Sequence, residues 1–423
     1  MCLTIPGKIL KINNNIATVK STNRTAQIDL GLVSGARIGS WLLYATDRAV
    51  KIISKQDAKE IIKLLEDHYN PVDISALPFK YKKIIYALRT EKNVTASEIE
   101  YLLNLKGKNN LEALYSEANT LRKNTLLDFV CIHGIIEYSN YCKNNCLYCG
   151  IRRDKKIKRY RMTTEEIVKV AADAVNKEGY KLLVLQSGED DFYKDDELIR
   201  MIKRMRETMR VFIFLSVGER SKKFYRQAFA AGATGSLFRF ETSNSKLYSK
   251  MHPGHNLKER LDCLKYQHKL GYYIASGSII GLPSQTVSDI ANDLLMIKKL
   301  KIPMISAGPY IESSGTPLFG KDKMVAEDKL RLTLNFIAIA RLLMPEIKIP
   351  VTTALETLDK KNGRHKGLLA GANALMFNLT PEKYCKKYSI YDNKFKDREK
   401  IWQKYGLFQG EESWEMLQTR LRV

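Results

Sequence analysis

The stretch "YSNYCKNNCLYCGIRR" sets three cysteines, Cys142, Cys146 and Cys149, at C-x3-C-x2-C spacing directly after an apolar run. Three thiolates so placed can curl around a cube of iron and sulfide, a cluster whose usual complement is four thiolates. No fourth cysteine lies nearby, which leaves one iron open to a small ligand binding through nitrogen and oxygen. Zinc competes weakly, because closed zinc sites take four protein ligands, commonly from two paired C-x2-C knuckles, and this loop offers a single pair. The spacing points to a three-thiolate iron–sulfur cluster with an open iron.

The elements that must hold this loop follow a regular rhythm. From residue 131 onward strand, loop and helix repeat: "CIHGIIEYS", "KLLVLQ", "VFIFLS", "GSLFRF", "YYIASGSII", "MISAGPY", "IKIPVTT" and "ANALMF" read as strands, with amphipathic helices between most of them. Eight such units over roughly 250 residues is the arithmetic of a (βα)8 barrel, whose catalytic groups sit on the loops after the strands. An α/β TIM-type barrel is therefore expected. A doubly wound open sheet is the alternative, but no G-x-G-x-x-G follows the first strand.

Ahead of the barrel, residues 1–69 read as a small OB-like β-barrel domain closed by the helix "SKQDAKEIIKLLEDHY". Residues 70–94 are a linker and a helix, opened by "NPVDISALP". The barrel with its preceding helices spans 95–392, starting at the capping-box spelling "TASE". Helical stretches are expected near 79–90 and 95–124, and 393–423 reads as a helical tail with no barrel role.

Bulk composition excludes several classes. The 423 residues are 44% hydrophobic and 27% charged, ordinary for a globular chain. No apolar run reaches the ~20 residues of a membrane span, and no secretory signal opens the chain, so a cytoplasmic location is expected. Seven cysteines with three in one loop favour metal over disulfides. The net charge of +24 suits nucleic acid, but the basic residues are dispersed and interrupted by no nucleic-acid motif. Dispersal favours a composition bias over RNA binding; docking of an acidic electron carrier is a third reading.

The cysteine motif with the aromatic Tyr148 before its last member resembles the signature of radical S-adenosylmethionine enzymes. That resemblance implies a [4Fe-4S] cluster on Cys142, Cys146 and Cys149. S-adenosylmethionine would be chelated at the open iron and reductively cleaved to a 5′-deoxyadenosyl radical. "HGIIEYSNYCKNNCLYCGIRRD", "KRYRMTTEEIV", "VLQSGED", "RFETSN", "GSIIGLPSQT", "IPVTTALET" and "GANALMFNLTP" extend it to the biotin-synthase-like branch and to the HydE family of [FeFe]-hydrogenase maturases.

In "QSGED", Ser187, Gly188 and Glu189 can offer hydrogen bonds, and by resemblance meet the methionine amino group. Arg239 and Glu241, two apart on "RFET", share one side of a strand and match a carboxylate and an ammonium. The resemblance adds Arg260 for the carboxylate, a plain structural ion pair being the alternative. Gly277 in "GSIIGLP" lets backbone approach adenine. His133, Thr352, Thr353, Tyr388 and Tyr391 align with a substrate pocket, His133 standing where the family carries arginine. Cys385 stands alone where relatives place a second cluster, so none is expected.

The opening "MCLTIPGKI", "AQIDLGLV" and "IGSWLLYA" resemble the HypC family of [NiFe]-hydrogenase chaperones, which implies an iron ligand at Cys2. Loss of Met1 would add the free amine as a second donor. Tyr44 replaces the histidine of that family. Together the resemblances imply a small organometallic substrate of iron, cysteine, carbon monoxide and cyanide. They also imply a ferredoxin- or flavodoxin-type electron donor and other hydrogenase maturation proteins as partners. A biotin-synthase-like or methylornithine-synthase-like reaction on a small amino acid, a non-catalytic iron-fragment scaffold and an RNA-modifying radical enzyme stay open as alternatives.

Overall fold

The structure, a computed structural model, describes residues 2–3, 5–21, 25–45, 48–59, 77–90, 92–126, 130–395 and 407–408. The chain forms two compact units. One is Met1–Asn70 with Asp128–Val130 and Arg398–Val423; the other is Pro71–Leu127 with Cys131–Asp397.

In the first unit, β1 (Cys2–Leu3) pairs with a short strand at Leu407–Phe408. Strands β2 (Ile5–Asn13), β3 (Ile16–Lys20), β4 (Thr25–Asp29), β5 (Trp41–Ala45) and β6 (Arg48–Ile53) close into a barrel in the order β2-β3-β4-β6-β5. Inward-facing Ile9, Ala17, Val19, Ile28, Leu42 and Tyr44 fill its core, as the two-residue period of strands requires. Tyr44 fits because residue 7 is glycine: a Cβ there would lie 2.9 Å from the Tyr44 ring and 2.3 Å from Val19. The Tyr44 hydroxyl bonds Ser21 Oγ at 3.1 Å. Ser54 caps the helical residues 55–59 through the Asp57 amide at 3.0 Å. The expected continuation of this helix, linker residues 70–76 and the Cys2 side chain lie outside the described residues. Of the tail expected to be helical over 393–423, Leu407–Phe408 form a strand instead, held by pairing with Cys2–Leu3, and 396–406 and 409–423 lie outside the described residues.

The second unit opens with helices Phe79–Arg89, Ala96–Leu103 and Lys108–Leu126. Thr95 and Glu98 form the expected capping box, which satisfies orphan amides of the first turn. The single helix expected over 95–124 is broken at Gly107, whose φ of +82° is a left-handed step open to glycine. Eight parallel strands follow: β7 (Cys131–Ser139), β8 (Leu182–Ser187), β9 (Phe212–Ser216), β10 (Ala233–Leu237), β11 (Tyr273–Ser276), β13 (Met304–Ile305), β15 (Pro350–Val351) and β16 (Ala374–Asn378). Their order is β13-β11-β10-β9-β8-β7-β16-β15, and a parallel bridge between Met304 and Lys348 joins the two ends.

This is the expected barrel. Gly235 makes room inside it for Phe214, whose ring a Cβ would meet at 2.4 Å. At the mouth, β12 (Ile279–Ile280) and β14 (Gly308–Pro309) pair as a short second layer.

Candidate active site

The cluster loop leaves β7 at Ser139 and is held from several sides. Asn140, fully buried, donates to the carbonyls of Lys158 and Lys387 at 2.9 Å and accepts from the Tyr160 amide at 2.7 Å. The Lys143 amide bonds the Glu189 carbonyl, the Leu147 amide that of Met251, and the Gly150 amide that of Ile390. Two glycines permit these crossings: a Cβ on Gly188 would sit 2.2 Å from the Tyr141 oxygen, and one on Gly150 2.2 Å from the Ser389 oxygen. Arg159 gathers the far side, donating to the carbonyls of Asn140, Ile151, Arg152 and Lys155.

Cys142, Cys146 and Cys149 are partly buried in this loop. Burial pushes the Cys149 thiol up to about 12, with neighbouring Cys142 adding to it. Burial likewise lifts Cys146, followed by Cys149 and Cys142. Cys146 and Cys149, whose ionisation burial and the neighbouring thiols oppose, call for positive charge beside them, which iron would supply. Among the described residues no three His, Cys, Asp or Glu side chains converge on a position for a single metal ion.

A cavity of about 320 Å³ opens from the thiols into the barrel, a volume suited to small-molecule sites. On one wall, Arg239 Nη2 and Glu241 Oε2 stand 3.0 Å apart. Neither atom completes a well-aligned hydrogen bond, and Arg239 Nε and Glu189 Oε2 are also buried without hydrogen-bond partners. Buried polar groups are rarely left so. A ligand carrying both a carboxylate and an ammonium would satisfy them. Glu241 adopts φ +66°, a strained conformation for a side-chain-bearing residue. Its amide bonds the Gly277 oxygen at 3.0 Å and its carbonyl accepts from Ile279 at 2.9 Å, which fixes the carboxylate's direction.

Arg260 lies beside this wall. Its Nε donates to the Arg239 carbonyl at 2.8 Å, and its Nη1 stands 3.2 Å from Glu219 and 3.5 Å from Glu189. Burial opposes its charge, but Glu189, Tyr248 and Glu219 outweigh it and the guanidinium stays protonated.

Tyr148 faces the cavity with its hydroxyl 2.9 Å from His252 Nε2. His252 Nδ1 lies 2.8 Å from the Tyr248 carbonyl. Burial lowers His252 to about 4, so the ring is neutral at physiological pH. Nδ1 carries the proton toward the carbonyl and Nε2 accepts from Tyr148. On another wall, buried Lys394 pairs with Glu137, which also accepts from Asn378 at 2.8 Å.

A family model, "Radical SAM superfamily", matches residues 136–297, and a second, "HupF/HypC family", matches 1–65. The chain is 40% identical over 304 residues to the [FeFe] hydrogenase maturase subunit HydE of Thermotoga maritima, covering 72% of this chain and 85% of that protein. The chain belongs to the HydE family of radical S-adenosylmethionine enzymes. It is 28% identical to the 3-methylornithine synthase of Methanosarcina barkeri over 313 residues, 73% of this chain and 86% of that one. The solved structure of methylornithine synthase superposes with a TM-score of 0.71 at 24% identity, covering 80% of this chain and 99% of that one. That last likeness concerns fold alone. Enzymes of this superfamily bind a [4Fe-4S] cluster and S-adenosylmethionine, and the thiols and the Arg239–Glu241 wall suit both.

In this HydE-type barrel the residues singled out from the sequence divide cleanly. Tyr148, Ser187, Gly188, Glu189, Arg239, Glu241, Arg260, Thr352, Thr353, Tyr388 and Tyr391 all line the cavity with the three cysteines. Thr352 caps the helix Thr353–Leu358 as well, accepting from the Leu355 amide. Tyr388 accepts from Gln186 at 3.3 Å.

Two residues depart from expectation. Gly277 does not reach the wall: a Cβ there would lie 2.6 Å from the Ser306 oxygen, so the glycine serves strand approach. His133 also stands off the wall. It shares the inward phase of Ile135 and Glu137 but lies nearer the strand's start, opposite Met376, almost wholly buried with Nε2 unbonded. Burial holds it neutral, so it cannot replace an arginine as an anion grip on that wall.

Sequence reasoning missed Glu219, Tyr248, His252, Glu137 and Lys394. Of these, only the spelling "MHPGH" beside "NLKERL" carried any signal, as a histidine-bearing turn ahead of the Arg260 helix.

Proposed function

We propose that this protein is a hydrogenase maturase whose radical acts on an iron complex bearing cysteine, carbon monoxide and cyanide. The observation that carries the reading is the single cavity running from the three thiols, past Arg239–Glu241, to Thr352, Thr353, Tyr388 and the Glu137–Lys394 pair. When bound, the cluster and S-adenosylmethionine supply one-electron reductive cleavage and a carbon-centred radical.

The chain's own residues do the rest. Arg239 and Glu241 orient the methionine end, and Tyr148, held by His252, bounds the same end. The stretch Tyr388–Lys394 covers the cavity, with Ile390 bonded to Gly150 and Asp392 bonded to Ser314 at 2.7 Å. A dry enclosure keeps a reactive carbon radical from side reactions. Glu137 and Lys394 offer an anion and a cation to the amino and carboxylate groups of a cysteine-bearing ligand.

In the first unit, Cys2 is read as an iron ligand. Tyr44 cannot assist it: the phenol is wholly buried and bonded to Ser21.

The test is anaerobic reconstitution with iron and sulfide, then assay of 5′-deoxyadenosine with and without an iron–cysteine–carbonyl–cyanide complex. Turnover of that complex is expected, and Cys146→Ala abolishes it. Infrared bands of bound cyanide that vanish in Cys2→Ala test the front unit. The 28% identity to 3-methylornithine synthase favours a free amino acid as the second reading. Consumption of an amino acid with no effect of the iron complex would select it.

A further inference from the structure

We infer that Arg159 is a positioning residue that ties the two ends of the cysteine loop, and that its charge raises the potential at which the cluster accepts its electron. Its Nη1 donates to the Asn140 carbonyl, two residues before Cys142, and to the Ile151 carbonyl at 2.8 Å, two residues after Cys149. Its Nη2 donates to the carbonyls of Arg152 at 2.6 Å, Lys155 at 3.0 Å and Arg153 at 3.4 Å. One planar fork thus closes the loop across its base. Arginine's fixed fan of donors permits that geometry, and the point charge of a lysine does not.

The chemistry of the acceptors decides what else Arg159 does. All are neutral peptide carbonyls, and among the described residues no carboxylate pairs with this guanidinium. Its neighbours differ. Arg161 bonds Asp190 through Nε and Nη2 at 2.8 and 3.0 Å, and Lys143 stands 3.0 Å from Asp191. Arg153 bonds Asp154 at 2.9 Å, and Asp154 also acts on Arg152. Arg159 therefore keeps a whole positive charge, half-buried beside the thiols.

Burying a cation costs free energy unless opposite charge answers it. Burial works against the Arg159 charge, and the thiolates of Cys142 and then Cys149 work for it. The loop and its clasp are thus complementary in charge as well as in shape. Net charge and hydrogen bonding around a cluster set its potential. A fixed cation favours the form holding one more electron. That electron comes from a one-electron reductant such as the dithionite radical, and no bond at Arg159 forms or breaks.

The experiment is a redox titration of the full reconstituted chain, read by the paramagnetic resonance signal of the reduced cluster. Arg159→Gln keeps donors and loses the charge. At a fixed ambient potential its ratio of reduced to oxidised cluster falls about tenfold, a midpoint about 59 mV more negative. Arg159→Lys keeps the charge and loses the fork, so its midpoint stays with the parent while its iron content after reconstitution falls. An unchanged midpoint in Arg159→Gln overturns the proposal. So does an equal negative shift in Arg159→Lys, because loss of the clasp then explains both. If Arg159→Gln fails to load iron, Arg159→Lys decides alone: a parental midpoint supports the proposal and a negative shift overturns it. The titration needs neither S-adenosylmethionine nor substrate, so its outcome is independent of which molecule the radical attacks.

Discussion

Tyr148 donates its hydroxyl to Nε2 of His252 across 2.9 Å, and the two rings meet edge to face at 5.4 Å. The stacked Tyr248 ring, 4.2 Å away, pins the imidazole from the other side. The aromatic residue inside the cysteine motif is thus oriented by a histidine more than a hundred positions downstream. His252→Phe leaves the Tyr148 hydroxyl buried without a partner, at about 1–3 kcal/mol. Chemical denaturation should read that loss, and S-adenosylmethionine should bind more weakly. Adding Tyr148→Phe should recover most of the stability, since removing both partners costs less than removing one.

Glu241 presents its carboxylate from a left-handed backbone fixed by Gly277 and Ile279. Glu241→Gln keeps the shape and removes the charge. Equilibrium dialysis should then show S-adenosylmethionine bound about 10- to 100-fold more weakly, the value of one charged hydrogen bond. Retained affinity would mean that the Arg239–Glu241 pair is only structural.

Glu137 and Lys394 are both almost fully buried. Removing either alone strands a charge, and Glu137→Ala or Lys394→Ala should destabilise the barrel by about 3–5 kcal/mol. Glu137→Met with Lys394→Met should fold with near-native stability yet lose turnover of a cysteine-bearing substrate. Thermal melts separate the first effect from the second.

Asp293 is fully buried beneath the Glu241 turn, accepting from the Ser243 amide at 2.6 Å. Burial raises its carboxyl to about 7. Between the unfolded value near 4 and about 7 the folded protein holds the extra proton, so stability falls as pH rises through that window. Asp293→Asn keeps the Ser243 bond and removes the titration. Denaturation midpoints at pH 5 and pH 8 should differ less in the variant than in the parent.

Much of the barrel was legible because its signals are local. Eight apolar runs at even spacing need no tertiary knowledge. Arg239 and Glu241, expected to share a face by standing two apart on one strand, lie instead beyond the strand's end at Leu237 and are brought to one wall by the left-handed turn at Glu241. Residues that act across the fold carried no such mark. Lys394 falls in the stretch read as a tail without a barrel role, and only closure of the strands brings it onto Glu137. His133 kept the right strand phase but the wrong depth, because periodicity reports which side a residue faces and not how far up the barrel it sits. Gly277 looked like a ligand glycine, whereas the demand on it comes from the Ser306 backbone. The helix break at Gly107 was visible only as a glycine, with no local pattern to mark its left-handed step.

The Gly150 amide and the Ile390 carbonyl, 2.7 Å apart, tie the loop that grips metal to the cover over the far end of the cavity. Whatever order iron imposes on the first is inherited by the second, and a ligand trapped beneath the cover repays it by steadying the thiols. Metal occupancy and substrate affinity become two readings of one linked equilibrium. Iron starvation should therefore register as weaker binding of substrate before it registers as unfolding.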